Sequence, residues 1–208
     1  MTSNRNNPSR LSTRRRSAGV WVMLAIGLAG LELGLPKTGY AETAQLPSSV
    51  QAELTGKLAG YDRSFAARAG SKAVILLVAM PGDTDSTKAA SELKGALSRL
   101  PTVGSLPHEE QVINFSSASA LADAVRSRKA AIVYFGPGFG KQIAAIRAAF
   151  SSLNVLTIGA MPDYVPAGIV LGFDLVSGRP KLLVNIEQAK KQQVSLPASV
   201  LKLMKVYP

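Results

Sequence analysis

The chain has 208 residues, 47% of them hydrophobic, and carries 24 basic against 13 acidic side chains, a formal charge of +11. That suffices for one well-cored domain, and the absence of cysteine excludes a disulfide scaffold, a thiolate metal site and a lipoprotein anchor. Much of the charge is local: residues 1–41 hold Arg5, Arg10, Arg14, Arg15, Arg16 and Lys37 against Glu32 alone, which leaves 18 basic groups against 12 acidic ones, or +6. A mildly basic remainder, with no Arg-rich aromatic stretch and its only Trp (Trp21) in the first segment, is a poor nucleic-acid binder.

The start has the form of an export signal. The arginines make a charged n-region, Ala18 to Leu31 is an apolar run, Pro36 breaks it, and Gly39, Tyr40 and Ala41 end it on small residues. Cleavage is expected after Ala41, which puts the mature protein in the periplasm. The apolar run is shorter than the ~20 residues of a spanning helix, so no stable membrane insertion of the mature chain is expected. The Arg pairs invite a twin-Arg reading, but Ser17, Ala18 and Gly19 follow them instead of large hydrophobic residues. Residues 42–48 read as a linker and 49–208 as one domain.

Val50, Leu54, Leu58, Tyr61 and Phe65 recur at helical spacing, which predicts a helix from Val50 to Arg68. Gly56 and Gly60 within it weaken the helix or let another element approach closely. Ala73 to Ala79 is a continuous apolar run suited to a strand covered on both faces. Pro81 to Asp83 ends it, and Asp85 or Ser86 caps a helix to about Leu100. A short strand from Gln111 to Phe115 follows, then a helix from Ser117 or Ser119 to Arg128. Ala131 to Phe135 and Val155 to Ile158 are further strands, separated by a helix from Lys141 to Phe150. Alternation of this kind implies parallel strands with right-handed crossovers. Gly168 to Asn185 then reads as an antiparallel hairpin turning at Ser177 to Pro180. Ile186 to Lys191 and Leu196 to Val206 read as closing helices. The expected fold is α/β: a single three-layer α/β/α domain, its mostly parallel sheet finished by a C-terminal hairpin and terminal helix.

Candidate chemistry is sparse. Gly136, Pro137, Gly138, Phe139, Gly140 and Lys141 form a Gly-rich turn between strand and helix, able to aim backbone N–H groups at an anion. The spacing fits neither a Walker A loop nor the dinucleotide fingerprint, so a tight turn whose glycines only satisfy geometry is the simpler reading. His108, the only histidine, lies between Pro107 and Glu109-Glu110 and reads as a solvated loop residue. No nucleophile elbow or second metal ligand accompanies it, so no cofactor is expected. Asp83 and Asp85 read as helix caps; Asp163 and Asp174 have no evident partner. Asn185 ends a strand where its amide can bond the orphan groups of the next helix. The stretch from Met161 to Pro166, with Tyr164 and Val165, reads either as an apolar-tipped docking loop or as a loop folded onto the sheet edge.

Leu156-Thr157-Ile158-Gly159, then Ala167-Gly168-Ile169, a strand ending in Asn185, Ala189, Leu196 and the run from Leu201 to Val206 resemble the C-terminal signature of the YfiR-like family of small secreted bacterial proteins. The founding type represses a membrane-bound diguanylate cyclase from the periplasmic side. Two departures stand out: the family often has Gly-Gly where this chain has Ala167-Gly168, and its better-known members carry disulfides. The resemblance implies an exported, non-enzymatic regulator that docks on the periplasmic sensor domain of a membrane signalling protein, with a homodimer not linked by disulfides. The alternative is a periplasmic small-ligand-binding module using Gly136 to Lys141. For either reading the candidate contact residues are Gly136, Gly138, Phe139, Gly140, Lys141, Met161 and Tyr164.

Overall fold

A computed structural model describes residues 45–208. Seven strands form one sheet in the order β2-β1-β3-β4-β5-β6-β7. These are β1 (Ala73–Ala79), β2 (His108–Asn114), β3 (Ala130–Phe135), β4 (Leu156–Gly159), β5 (Leu171–Val176), β6 (Arg179–Asn185) and β7 (Met204–Tyr207). The first five are parallel to their neighbours, β5 and β6 are antiparallel, and β7 runs parallel to β6. The main helices are α1 (Ser48–Tyr61), α2 (Phe65–Ala69), α3 (Thr84–Leu97), α4 (Ala118–Arg128) and α5 (Ile143–Phe150). Three short ones follow: α6 (Tyr164–Ala167), α7 (Ile186–Lys191) and α8 (Ala198–Leu201).

Period-two alternation sorts the central strands onto two cores. Ile75, Leu77, Ile132, Tyr134, Leu156 and Ile158 face one side, where Leu58 of α1 and Leu93 and Leu97 of α3 join them. Leu76, Val78, Val133 and Phe135 face the other, against Leu121 and Val125 of α4 and Ile143, Ile146 and Phe150 of α5. β1 and β3 are covered on both faces, which is why they read as unbroken apolar runs. The caps at Ser117 and Asn185 are as expected, accepting from Ala120 N at 3.1 Å and Gln188 N at 2.8 Å; α3 is capped by Asp83, accepting from Ser86 N at 2.9 Å, with Asp85 and Ser86 inside its first turn.

Two predicted elements differ. The helix expected from Val50 to Arg68 breaks after Tyr61 into α1 and α2, because Asp62 leaves the helix to enter a buried network. Its carboxylate accepts from Ser64 N at 3.1 Å, Ser195 N at 2.8 Å and Arg68 Nη1 at 2.7 Å. The helix expected from Leu196 to Val206 is only the single turn of α8; residues 204–207 are strand β7, whose Leu182↔Met204 and Val184↔Val206 register completes the sheet. The apolar residues there do not share one helical face: Val200 and Met204 are buried, while Leu203 and Val206 are exposed. Backbone pairing to β6 satisfies groups that a short exposed helix would leave to water.

Arg68 completes the network, giving Nε to Asn154 Oδ1 at 2.7 Å and Nη2 to Gln193 O at 3.1 Å. The Asp62 and Arg68 side chains are 0% and 2% exposed. Breaking one half of such a pair leaves an uncompensated buried charge. Asp62→Ala is therefore expected to lower unfolding stability by about 3–5 kcal/mol, measured by urea denaturation.

Candidate functional site

The sheet order reverses between β1 and β3, so the loops leaving these two strands diverge at a crevice, the usual ligand position in open α/β sheets. The first loop runs from Met80 to Asp83, the second from Gly136 to Gln142. Gly138 has φ +88°, and a Cβ there would run into the Asp83 carboxylate. Gly136 lies against Ser86, whose Oγ accepts from Met80 N at 2.9 Å. The glycines thus let the two loops close on each other. A shallow groove lined by Gly82, Asp83, Thr84, Thr87, Lys88 and Ser91 opens beside them.

The loop points a donor inward: Phe139 N donates to the Tyr164 hydroxyl at 2.8 Å. Tyr164 is buried, its ring lying on Gly159. Burial pushes its phenol up to about 12, against the pull of the Phe139 backbone N–H. One donor this loop could offer an anion, the Phe139 N–H, is therefore taken by the protein's own hydroxyl. The neighbouring Asp83 carboxylate also disfavours a second negative charge.

The seven candidate residues are partly brought together. Phe139 is fully buried against Phe115 and Phe135, with ring centroids 5.4 Å apart in each pair. Gly136 is buried, Gly138, Gly140 and Lys141 are exposed, and Met161 is half-buried, its sulfur meeting Gln45 Nε2 at 3.1 Å. Of the two readings of residues 161–166, Tyr164 and Val165 follow the folded one: they are buried in α6, which fills the space left by Gly159 and Gly172, while Asp163 and Pro166 stay exposed. Phe139 and Tyr164 therefore present no side chain to a partner.

His108 also differs from expectation. It opens β2 and is half-buried, Nδ1 meeting the Glu110 carboxylate and Nε2 lying 3.0 Å from Leu100 O. The pairing joins the edge strand to the end of α3 and holds no nucleophile. Sequence reasoning missed a further buried set. Tyr134 donates to Gln51 Oε1 at 2.9 Å, Gln51 Nε2 to Leu46 O at 2.7 Å, and Thr157 Oγ1 to Gln192 Oε1 at 3.0 Å. Burial raises the Tyr134 phenol strongly. Gln51 on a helical apolar face was the available signal, since a buried amide needs partners. Among the described residues, no group of three or more His, Asp or Glu is placed to hold a metal, and no helix is long and apolar enough to cross a membrane.

The chain matches the YfiR/HmsC-like family over residues 48–205. No curated protein matches it significantly. Solved structures share its fold. A conserved domain protein from Vibrio cholerae O1 biovar El Tor is 14% identical with a TM-score of 0.54, the match covering 77% of this chain and 60% of that one. The "ABC domain" from Streptococcus pneumonia in complex with L-Trp is 14% identical with a TM-score of 0.55, covering 77% and 62%. A ligand-free, open substrate binding protein with adhesive properties from Clostridium difficile is 12% identical with a TM-score of 0.50, covering 69% and 57%. The chain thus spans about three-fifths of the length of these structures.

Tyr164→Phe removes the acceptor of a buried N–H, so it is expected to lower stability by about 1–3 kcal/mol at neutral pH. The phenol's folded-state value lies above its ordinary 10. Its contribution is therefore whole below about pH 10 and is lost as pH rises toward 12. Urea unfolding of both proteins at neutral and alkaline pH checks this: the gap between them should shrink across that window.

Proposed function

The chain belongs to the YfiR/HmsC-like family, and on that premise we propose that it is an exported, non-enzymatic regulator acting by protein contact. The family is regulatory and periplasmic. In the proposed action, the mature chain docks on the periplasmic sensor domain of a membrane signalling protein, a diguanylate cyclase, and holds it inactive. It then has to bind the inactive state more tightly than the active one, since equal affinity shifts nothing. An export signal cleaved after Ala41 and a homodimer without disulfides belong to the same reading; residues 1–44 lie outside the described structure.

The observation that carries the proposal is the family match over 48–205. The inward-facing Gly loop supports it, because one donor at the fold's customary ligand position is spent on internal bonding. The small-ligand reading has the crevice's position in its favour, but the Phe139 N–H is already bonded to the Tyr164 hydroxyl.

The test combines gene deletion with crosslinked capture from envelopes. Loss of the chain should raise cellular cyclic di-GMP, and capture should recover a membrane cyclase. Lys141→Ala, at an exposed position, should restore repression as well as the wild type. Unchanged cyclic di-GMP on deletion, or repression lost with Lys141 alone, would count against the proposal.

A further inference from the structure

The described domain's positive charge is unevenly placed. Residues 45–170 hold 12 cations against nine acids, whereas residues 171–208, from the start of β5, hold six cations against two acids, Asp174 and Glu187. The exposed large hydrophobic residues concentrate there too: Val176 is 52% exposed, Leu203 69% and Val206 51%, leaving only Tyr61 and Val112 elsewhere. Lys190 and Lys191 end α7, where cations offset the helix dipole. Arg179, Lys181, Lys202 and Lys205 have no such explanation, and none of them forms an ion pair among the described residues.

Register places these groups at one corner. β4 pairs only with residues 171–172 of β5, and β7 only with residues 182–185 of β6. The β5–β6 hairpin from Phe173 to Lys181 therefore projects past both neighbouring strands. Val176 lies opposite Arg179 and Asp174 opposite Lys181, while Leu183 lies opposite Lys205. Alternation puts Val176, Arg179, Lys181, Lys205 and one acid, Asp174, on one face of this ribbon, with Val206 on the other. Lys205 also sits over the Tyr207 ring, 4.9 Å from its centroid. Leu203 is the most exposed large hydrophobic residue and directly precedes β7.

We propose that this corner is a docking surface for an anionic lipid headgroup layer. Cations beside protruding apolar side chains are what such a surface takes: the charges meet headgroups and the apolar tips enter the acyl boundary. Edge protection accounts for Lys205 alone; it does not account for the projecting Arg179 and Lys181 or for Leu203. The opposite edge shows ordinary protection, with Lys72 paired to Glu109 and Arg128 bonded to Gln111 across β2. A second copy pairing along β7 would set two positively charged edges against each other. The grooves beside α1, α3 and α4 lie away from this projection. Surface attachment would hold the protein near any membrane partner and raise its effective concentration there, whichever signalling protein that is.

The test is flotation of the protein, purified after export, with vesicles of phosphatidylglycerol in phosphatidylethanolamine and with pure phosphatidylcholine vesicles. Binding should need phosphatidylglycerol and fall as salt rises. Lys181→Glu with Lys205→Glu should weaken it about tenfold or more, and Leu203→Asp should weaken it without changing the thermal unfolding of this exposed site. Lys57→Glu with Lys94→Glu, the same charge change on α1 and α3, should leave it intact. Binding independent of phosphatidylglycerol, equal loss in the control pair, or wild-type binding by Leu203→Asp would overturn the proposal. So would indifference to vesicles in a protein whose corner binds an acidic polypeptide instead. None of these outcomes depends on cyclase repression, so the two proposals fail separately.

Discussion

A single buried carboxylate sets the limits within which the rest of this domain is arranged. Asp62 accepts three hydrogen bonds, one of them from Ser195, 133 residues away in sequence. Through Arg68 the same cluster reaches Asn154 before β4 and Gln193 after α7. A charge withdrawn from water is tolerable only when such partners replace its solvation. The cluster therefore fixes where α1 stops, where the chain enters β4 and where the C-terminal segment turns back. With the turn at Gln193 to Ser195 held, α8 and β7 are positioned to close on β6.

How much of this the sequence discloses depends on the range of the forces involved. The central strands are legible because two-sided burial writes itself as an apolar run, as in β1 and β3. The caps at Asp83, Ser117 and Asn185 are legible because each acts within three residues of itself. The Asp62 cluster is not, since its partners come from three separate segments. β7 was hidden for another reason: Leu201, Leu203, Met204 and Val206 fit helical spacing, and only the free edge of β6 decides for strand. Tyr164 looked like a docking residue because the room that buries it is made by Gly159 and by Gly172, eight residues onward.

The same distinction applies to the candidate site. The Gly136 to Lys141 loop was recognisable as a turn at the correct place in the fold. Its bonding was not, because the acceptor is a hydroxyl 25 residues further along. Gly138 is required there by its positive φ and by the approach of Asp83. At the crevice that serves ligand binding in many α/β proteins, the Phe139 N–H is here engaged by an internal contact. Function on the proposed reading therefore resides in outward surfaces, and chemistry at the sheet's end is not required.

That reading is tested most directly by reconstitution. A diguanylate cyclase recovered by envelope capture is placed in proteoliposomes with its sensor domain facing outward, and the purified protein is added outside while cyclic di-GMP synthesis is followed inside. The account predicts saturable inhibition that approaches completion near one protein per sensor domain, with the added protein recovered chemically unchanged. Synthesis unaffected at saturating protein, or a substrate consumed catalytically by the added chain, would contradict it.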